Sequence, residues 1–506
     1  MRLGTKVAAA ALMVAMVPAV SLTARAQVAL PGPQAISAAD RQSGAKADPD
    51  LTAEYGGAYS GAQSGLVRQV GIKVARQSAI AEVERDFSFK LLNSGVPNAF
   101  AIPGGYVYTT RGLLALMNNE AELAFVLGHE TGHIAAHHSD ARQKVTQRNV
   151  LLGTLGQAVL GAVLGNGAIG QVGNQIGQAG IQRLVVGNVM SHSRADEFQA
   201  DDLGIAYAMK AGYDATASAD ILGKLAMQTA LDAKLAGNTR TTPGWAMSHP
   251  DPAARVSRST QRAQQLGARG GLRNGDAFLL ALKGMIYGDD PAQGLIEGQA
   301  FRYPPGRVQF AAPAGYGLSN GSDAVTVSAA SGARVGGQAR FAGGAYDGNL
   351  AGVVSRTFAG LTQNQQVAFT PVRSTVNGME ALSATVGVSS NGQAADLSVV
   401  AIAASPTTAY SFAVIQPRGA GLGDLAGLVQ SFRRMGEAEV AAIRPRVIDV
   451  ATVGRTDTVQ TMAARMAFTD LAAERFLVLN GLPAGTTRLT PGSRVKLVVW
   501  GAARKY

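Results

Sequence analysis

The chain has 506 residues, of which 47% are hydrophobic and none is cysteine. This length allows several domains of about 100–200 residues each, and the missing cysteines exclude a disulfide framework and a lipid-modified cysteine. The formal net charge of +11 is typical of proteins that adhere to anionic surfaces. No recognition motif accompanies this charge, which argues against nucleic-acid binding.

Residues 1–26 have the features of a secretory signal peptide. Arg2 and Lys6 precede an apolar run from Val7 to Val20, and Ala24-Arg25-Ala26 is an A-x-A cleavage pattern. The apolar run is shorter than the about 20 residues that span a bilayer, although an uncleaved anchor stays an alternative. We expect a periplasmic protein that is not a lipoprotein and contacts membranes at most peripherally. Residues 27–65 are predicted to be a flexible leader.

Short strands are predicted from Phe87 to Thr110, around a turn at Pro103-Gly104-Gly105. A strand of this kind can bind an extended polypeptide through backbone pairing, without reading its side chains. The alternative is a small sheet that only covers the neighbouring helix.

The next predicted element is a helix from Asn119 to Ile134. Asn119 can cap its amino end, and Glu122 completes an N-x-x-E capping box. Gly132 weakens the helix, but a small residue lets a second helix approach closely. The apolar positions at helical spacing are Leu123, Val126, Leu127 and Ile134.

This helix carries the motif H-E-x-x-H at His129-Glu130-Thr131-Gly132-His133. Residues four apart lie on one helix face, so both imidazoles can bind one zinc ion. Glu130 would then lie beside the metal and take a proton from a zinc-bound water, whose pKa zinc lowers toward about 7. The motif predicts hydrolysis, most often of a peptide bond. The alternative is a helix with two surface histidines.

A zinc peptidase needs a third protein ligand and one open position. His137 lies about 12 Å further along the helix axis than His129, so His137 and His138 are not expected to be ligands. The metzincin spacing is also absent, because Ser139 stands where that motif has its third histidine. We interpret His137 and His138 as cationic side chains at a helix carboxyl end.

Residues Val150 to Gly187 are glycine-rich and apolar. Small residues recur at three- and four-residue steps and form a face that permits close helix packing. Interspersed glutamines argue against a lipid-spanning segment. We predict a mobile flap or a packed hairpin near the cleft, and contact with a membrane surface is the weaker alternative.

Two acidic residues further along, Glu197 and Asp201, are four apart and share a helix face. Glu197 could be the third ligand, and Asp201 could accept a hydrogen bond from the other ring nitrogen of a ligand histidine. Asp196 and Asp202 show that this helix carries acid elsewhere too. Spacing alone therefore leaves an ordinary charged surface equally open.

An H-E-x-x-H helix followed about sixty residues later by S-R-x-x-E-x-x-A-D, here Ser193 to Asp201, resembles CAAX-prenyl-protease-type zinc metalloendopeptidases. These include HtpX-like membrane proteases, mitochondrial inner-membrane proteases and soluble periplasmic quality-control proteases. Residues 98–108 and 122–129 also look like theirs, and the resemblance covers about residues 65–265.

The resemblance implies that His129, His133 and Glu197 bind one zinc ion per chain and that Glu130 is the catalytic base. His192 departs from the pattern, because an aromatic residue is expected there, and it is not assigned as a ligand.

His249 lies in a Ser-His-Pro loop, and the following Asp251 and Pro252 have the features of the N-cap and first residue of a helix that contains Arg255. The resemblance places this loop and Arg255 near the cleft. His249 could stabilise the oxyanion, plug the open zinc position or only cap a loop. Asp201, His249 and Arg255 are therefore candidates for a supporting role at the site.

Residues 269–303 are predicted to be a helical connector, and residues 304–440 an antiparallel α+β domain of unknown role. Asn377-Gly378 and Asn391-Gly392 are hairpin turn signals. The clearest elements are a strand, Leu397 to Ile402, and a helix, Leu425 to Phe432.

Residues 445–500 resemble a LysM domain. Thr456 to Val459 match its entry sequence, Met462 to Arg465 its first helix, Leu477 to Leu482 its second helix, and Leu489 to Leu497 its closing strand. The resemblance implies a small βααβ fold that binds the N-acetylglucosamine backbone of peptidoglycan. Ten basic and four acidic residues between positions 444 and 506 suit an anionic wall. The alternative is a LysM-like fold kept for packing or protein contact.

The predicted fold class is therefore α+β multidomain, with a mainly helical zincin-type peptidase domain and its small β-sheet over residues 66–268. The predicted function is a periplasmic zinc-dependent metalloendopeptidase that cleaves misfolded or misassembled envelope proteins with a water activated by Glu130. The alternative is an envelope chaperone or peptidoglycan-tethered scaffold with a shut or structural metal site. A cell-wall hydrolase is a third option.

Overall fold

A computed structural model describes residues 28–138, 192–235, 249, 252–266, 270–321, 324–330, 333, 335–361, 367–390 and 393–505. The predicted signal peptide, the glycine-rich segment 150–187, Asp251 and the Asn391-Gly392 turn all lie outside the described residues. Within these ranges, no helix has the length and hydropathy that a membrane span requires.

The segment predicted to be a flexible leader, residues 27–65, contains a helix, α1, which spans Ala38–Glu54. Ser37 caps its amino end by accepting a hydrogen bond from the backbone of Asp40. Asp48 then binds Lys90 at 2.6 Å and accepts a hydrogen bond from Tyr108 at 2.8 Å. The sequence does not show this helix because it has no apolar face of helical period. Tertiary contacts to the neighbouring sheet hold it.

The predicted strands form a small three-stranded sheet. Its strands are β1 (Ser88–Leu92), β2 (Ala99–Ile102) and β3 (Tyr106–Thr110), in the order β1-β3-β2. The predicted turn joins β2 to β3, with Gly104 and Gly105 at φ of +92° and +84°, values that favour glycine. Helix α2 (Gln63–Ala75) packs on β1, and the predicted domain start at residue 66 falls inside it. The short helix α3 (Val83–Asp86) precedes β1.

The remaining helices of this part of the chain enclose one apolar core. They are α4 (Arg111–Leu116), α5 (Glu120–Ala135), α6 (Arg194–Lys210), α7 (Ala217–Leu235) and α8 (Pro252–Gln265). Asn119 caps α5 as predicted, accepting from Glu122 N at 3.0 Å. The reciprocal bond of the capping box differs, because Glu122 accepts from the backbone of Asn118 and binds Lys224 at 2.6 Å.

The predicted helical connector, residues 269–303, is only partly helical. It contains α9 (Gly275–Leu282), but its end forms the hairpin of β4 (Leu295–Glu297) and β5 (Ala300–Tyr303). Phe301 on β5 is buried in an aromatic cluster of the following domain, and this burial favours strands over a solvated helix. These strands join β6 (Val308–Ala311) and β14 (Arg433–Arg434) in the order β14-β6-β5-β4.

The middle part of the chain is an antiparallel seven-stranded sheet with the order β10-β11-β12-β13-β9-β8-β7. Its strands are β7 (Tyr316–Asn320), β8 (Val325–Ala329), β9 (Gln338–Ala345), β10 (Val372–Val376), β11 (Met379–Ser390), β12 (Gln393–Ala403) and β13 (Thr408–Pro417). The predicted Asn377-Gly378 turn joins β10 to β11, with φ of +46° and +78°. Helix α10 (Leu350–Leu361) packs on one face, and α11 (Ala426–Gln430) follows β13.

The last part of the chain begins with α12 (Glu437–Ala442) and then has the order strand, helix, helix, strand. These elements are β15 (Arg446–Thr452), α13 (Val459–Ala463), α14 (Ala472–Asn480) and β16 (Arg494–Trp500). The two strands pair antiparallel. Lys496 on β16 is fully buried and donates to the carbonyls of Ala115 and Met117. This segment therefore shares the apolar core of α2 to α9.

Candidate metal centre

The close packing of α5 on α6 positions the site. A Cβ atom added at Gly204 would lie 2.8 Å from the backbone nitrogen of His129, and one added at Gly132 would lie 3.1 Å from Leu203. Larger residues at these two positions would force the helices apart. The close approach predicted for Gly132 is confirmed, and it brings the histidines of α5 against the acidic face of α6.

Four buried side chains converge between these helices. His129, His133, Glu197 and His249 each offer one donor atom, and these atoms all lie within 4.8 Å of one another. The two Nε2 atoms of His129 and His133 are 3.0 Å apart. Glu197 places its carboxylate oxygens 3.6 Å and 3.4 Å from them. The three ligands suggested by the sequence thus lie together, and His249 joins them.

The donor atoms of this cluster fit a divalent metal. Imidazole nitrogens with one carboxylate are the donor set that zinc takes in catalytic sites. Glu130 supports the fit, because its Oε1 is buried and has no hydrogen-bond partner among the described residues. That oxygen lies 3.5 Å from Nε2 of His249, which is a member of the cluster. A carboxylate oxygen left in this state is costly unless the site supplies a partner.

Asp201 and Arg255 form a charged layer behind the cluster. Asp201 Oδ1 lies 3.0 Å from His129 Nδ1, which leaves Nε2 of that ring facing the cluster. Arg255 donates twice to Asp201, at 2.8 Å and 2.6 Å, and its Nη1 lies 2.6 Å from Glu197. One guanidinium therefore links the two carboxylates of α6 and fixes both relative to His129.

His138 is a neighbour of the site that sequence reasoning set aside. Its Nδ1 lies 2.8 Å from His133 Nδ1, and its Nε2 lies 3.1 Å from Gln199 Oε1. His137 instead is exposed and contacts Gln34. Neither belongs to the donor cluster found in the described part of the chain. This difference arises because the chain turns at His137, where φ is +54°. The sequence of two adjacent histidines does not reveal such a turn.

His192 also lies against the cluster. Its ring centroid is 3.6 Å from that of His133, and its Nδ1 is 3.5 Å from Glu197 Oε1. An aromatic residue was expected here, and the imidazole ring lies against that of His133 at an interplanar angle of 31°.

Burial and charge shift the pKa values of the site in opposite directions. Burial raises the pKa of Glu130 and lowers the pKa of His133 well below its usual value. Burial also opposes ionisation of Glu197, but His249 and His129 outweigh it and hold the pKa of Glu197 well below its usual range. For His249, the neighbouring Glu197 and Glu130 overcome burial and raise the pKa.

The edge strand β2 borders the cluster. His249 Nε2 lies 3.2 Å from the carbonyl oxygen of Ala99, the first residue of β2. The ring of His249 therefore contacts Glu130, Glu197 and the strand edge at once.

A helix that carries the motif H-E-x-x-H, here together with a glutamate from α6, is typical of metallopeptidase sites. Comparison with known proteins agrees with this class of site. Residues 62–263 match the sequence profile of peptidase family M48.

Several curated relatives are similar to the same region. It is 33% identical over 187 residues to the beta-barrel assembly-enhancing protease of Yersinia pestis, covering 36% of each chain. The protein of that name from Escherichia coli K12 is 29% identical over the same share. Mitochondrial metalloendopeptidase OMA1 of Bos taurus is 28% identical over 153 residues, which is 30% of this chain and 28% of that one. The chain thus spans about a third of the length of these relatives.

A solved structure from Bacteroides thetaiotaomicron aligns with 33% of this chain and 57% of its own, at 8% identity and a TM-score of 0.22. This similarity is too low to inform on the fold.

Proposed function

We propose that the chain is a zinc-dependent metalloendopeptidase that hydrolyses misfolded or misassembled proteins of the bacterial envelope. The observation that carries this proposal is the buried Glu130 Oε1, which has no hydrogen-bond partner among the described residues and lies next to four side chains that could hold a metal ion. A structural metal site has no need of such a base. The match of residues 62–263 to peptidase family M48 supports the same activity.

His129, His133 and Glu197 would hold the zinc ion in this proposal. Zinc, when bound, supplies Lewis acidity toward the scissile carbonyl and toward the attacking water. Glu130 accepts the proton of that water and returns it to the amine nitrogen of the leaving peptide. Burial, which raises the pKa of Glu130, favours the protonated form between these two transfers. Asp201 holds His129 in the tautomer that presents Nε2.

Unfolded or misassembled polypeptides are the proposed substrates. The edge strand β2 borders the site and can pair with an extended chain through backbone hydrogen bonds, which selects for unfolded segments rather than for a sequence. Two of the relatives that resemble this region are named for enhancing β-barrel assembly.

The experiment that tests the activity compares the wild-type protein with Glu130→Gln, each loaded with zinc, on casein and on an unfolded outer-membrane protein. We expect the substitution to abolish cleavage, because the amide cannot accept the proton. Glu120→Gln is the matched control, since Glu120 lies on the same helix but contacts Tyr213 and Asn274 outside the site. Equal cleavage by all three proteins would refute the peptidase proposal. Prevention of aggregation without cleavage would favour the chaperone alternative.

His249 is proposed to close the resting site. Its Nδ1 lies 3.3 Å from His129 Nε2 and 3.0 Å from Glu197 Oε1, so it occupies the side of the cluster where a substrate carbonyl would enter. Replacing His249 with alanine separates the three possible roles. Raised activity supports a plug, and lost activity supports stabilisation of the oxyanion. Unchanged activity would leave only the role of a loop cap.

The envelope location is part of the proposal, and export by residues 1–26 is its mechanism. A fusion of these residues to a reporter enzyme should appear in the periplasmic fraction, cleaved after Ala26. A reporter that stays in the cytoplasm would contradict export.

Peptidoglycan binding through residues 445–500 is a second, separate proposal. It is supported by the strand-helix-helix-strand order and by the excess of basic residues in this segment. Sedimentation of the protein with insoluble peptidoglycan tests this proposal. Any variant used in this test keeps Lys496, because that residue packs the segment on the rest of the chain. No sedimentation at low salt would restrict this segment to packing.

A further inference from the structure

A cleft of about 950 Å³ lies away from the metal-binding cluster, between the small sheet of β1 to β3 and the middle sheet. One wall comes from the first part of the chain, and the other comes from β5, β7 and β9. The aromatic residues of its lining are Tyr55, Phe301, Tyr303, Phe341 and Tyr410. Neither the proposed chemistry nor the family match assigns it a role.

One wall of this cleft is the end of strand β9. Residues Gly343 to Ala345 are exposed and pair with β13, but the described ladder to β8 ends at Phe341. Because the Tyr346 nitrogen donates to the Thr407 oxygen, alternation along an antiparallel pair turns the backbone groups of Gly344 toward β13. The N–H and C=O groups of Gly343 and Ala345 therefore face away from β13, along the cleft.

The other surfaces of the cleft suit large apolar side chains. Phe341 and Tyr410 are stacked, with ring centroids 5.2 Å apart, but each is only 4% exposed. The accessible apolar surface of the cleft comes from the half-buried Tyr55 and Tyr303 and from Val96, which is 53% exposed.

The charged side chains of the cleft have both signs, because Arg111 lines it together with Asp289 and Asp290. The cleft thus offers hydrogen bonds along a strand and apolar side chains in both walls.

The cleft is continuous with the strand that borders the metal-binding cluster. Asn98 lines the cleft, and the next residue, Ala99, begins β2 and contacts His249. The chain thus joins a residue of the cleft lining directly to the strand at which substrate pairing is proposed.

We infer that this cleft binds an extended segment of the substrate polypeptide, which adds as a strand to Gly343–Ala345 and places apolar or aromatic side chains between the two walls. Strand edges bind chains in this way through their backbone, with pockets for alternate side chains. This inference rests on the proposed peptidase function, because it names a second contact for the same substrate.

The test uses the full-length protein with Glu130→Gln, so that the probe is not cut. The probe is a short fluorescein-labelled peptide with aromatic residues at alternate positions and one arginine, and binding is followed by fluorescence anisotropy. Ala345→Pro removes an N–H group that faces the cleft and that β13 does not use. The control is Gly360→Ala on α10, which lies outside the cleft lining and whose added methyl group meets nothing within 4 Å. We expect Ala345→Pro to weaken binding about threefold to tenfold and Gly360→Ala to leave it unchanged.

Equal affinity of both variants for the peptide would overturn the inference. Displacement of the peptide by a chitin oligosaccharide, with equal loss in both variants, would also overturn it and mark the cleft as a sugar site. Casein cleavage in the wild-type background separates the two proposals. If the protein cleaves casein and Ala345→Pro changes neither cleavage nor binding, the cleft fails while the peptidase function stands. If the protein cleaves nothing, the peptidase function fails regardless of the peptide data.

Discussion

At the scale of single residues, Glu130 combines a proposed chemical role with a cost in stability. Burial raises the pKa of its carboxyl, so the ionised form is disfavoured in the folded state. The contribution of Glu130 to the free energy of unfolding is then fully present below its pKa in the unfolded chain. It is lost as the pH rises through its pKa in the folded protein. We expect Glu130→Gln to raise the melting temperature of the metal-free protein at neutral pH and to change it little near pH 4. Thermal unfolding with a chelator measures this, and a lower melting temperature at both pH values would contradict it.

Asp201 behaves in the opposite way. Burial opposes its ionisation, but the charge and hydrogen bonds of Arg255, together with His129, lower its pKa from 3.8 to about 2. A carboxyl with a lowered folded pKa stabilises the fold above its unfolded pKa, and this contribution is lost as pH falls toward 2. The shift corresponds to about 2 kcal/mol. We expect Asp201 to account for this amount of the fall in the free energy of unfolding of the metal-free protein between pH 5 and pH 2.

The Asp201→Asn variant is the control for this pH dependence. It should be less stable at neutral pH, because Arg255 loses a charged partner, but its stability should change less over the acid range. An equal acid slope in both proteins would assign the dependence to other carboxyls.

The adjacent histidines His137 and His138 make a matched pair. His138 contacts the ring nitrogen of His133 that faces away from the cluster, so it can fix the orientation of that ring. Groups in this position typically change metal affinity about tenfold to a hundredfold. We expect His138→Ala to weaken zinc binding by that factor, measured by competition with a chelating dye. His137→Asn, which tolerates a positive φ, should leave zinc affinity unchanged. Equal affinities would show that His138 does not orient His133.

At the scale of elements, the packing of α5 on α6 decides whether the site forms. Gly204 allows this approach, and an added Cβ would lie 2.8 Å from the backbone of His129. We expect Gly204→Ala to cost about 1–3 kcal/mol in the free energy of unfolding and to weaken zinc binding. Gly223→Ala on α7 is the control, because its Cβ would meet nothing within 4 Å. It should stabilise the protein by about 0.5–1 kcal/mol. The two unfolding free energies, from denaturant titration, test this, and equal effects would refute the packing argument.

Elements differ in how well the sequence predicts them, for a physical reason. Helix α5 carries its own cap, apolar spacing and motif, and its predicted span is close to the observed Glu120–Ala135. Helix α1 has no apolar face, and its contacts to Lys90 and Tyr108 come from residues far along the chain. Strands β4 and β5 depend on burial of Phe301 in a cluster built by later strands. Local pattern therefore predicts elements that local interactions stabilise and misses those that depend on distant partners.

At the scale of the whole molecule, the apolar cores do not follow the predicted domains. The residues of the last segment, including Met462, Phe476 and Leu497, lie in the same core as the helices around the metal-binding cluster. The middle sheet has separate cores on its two faces. We expect calorimetry to resolve one transition for residues 295–443, which include β4 and β5, and another for the remainder of the folded chain.

Deletion of residues 445–506 tests this arrangement. It exposes the apolar surface that β16 and α14 cover and removes the bonds of Lys496 to Ala115 and Met117. The transition of the peptidase part should fall by about 5–10 °C, while that of the middle sheet should stay unchanged. Deletion of only residues 502–506, of which 502–505 are exposed, is the control. An unchanged peptidase transition would show that the last segment is an independent unit.

The sequence by itself determined the chemistry of the candidate site, because a motif on one helix carries its own geometry. His129, Glu130 and His133 follow from the helical repeat, and Glu197 came from a resemblance rather than from spacing. Only the tertiary structure decided that Glu197 and His249 reach the same point, that Arg255 bridges Asp201 and Glu197, and that His138 but not His137 contacts the site. These contacts join residues that are distant in the chain, and a linear pattern holds no record of such distances.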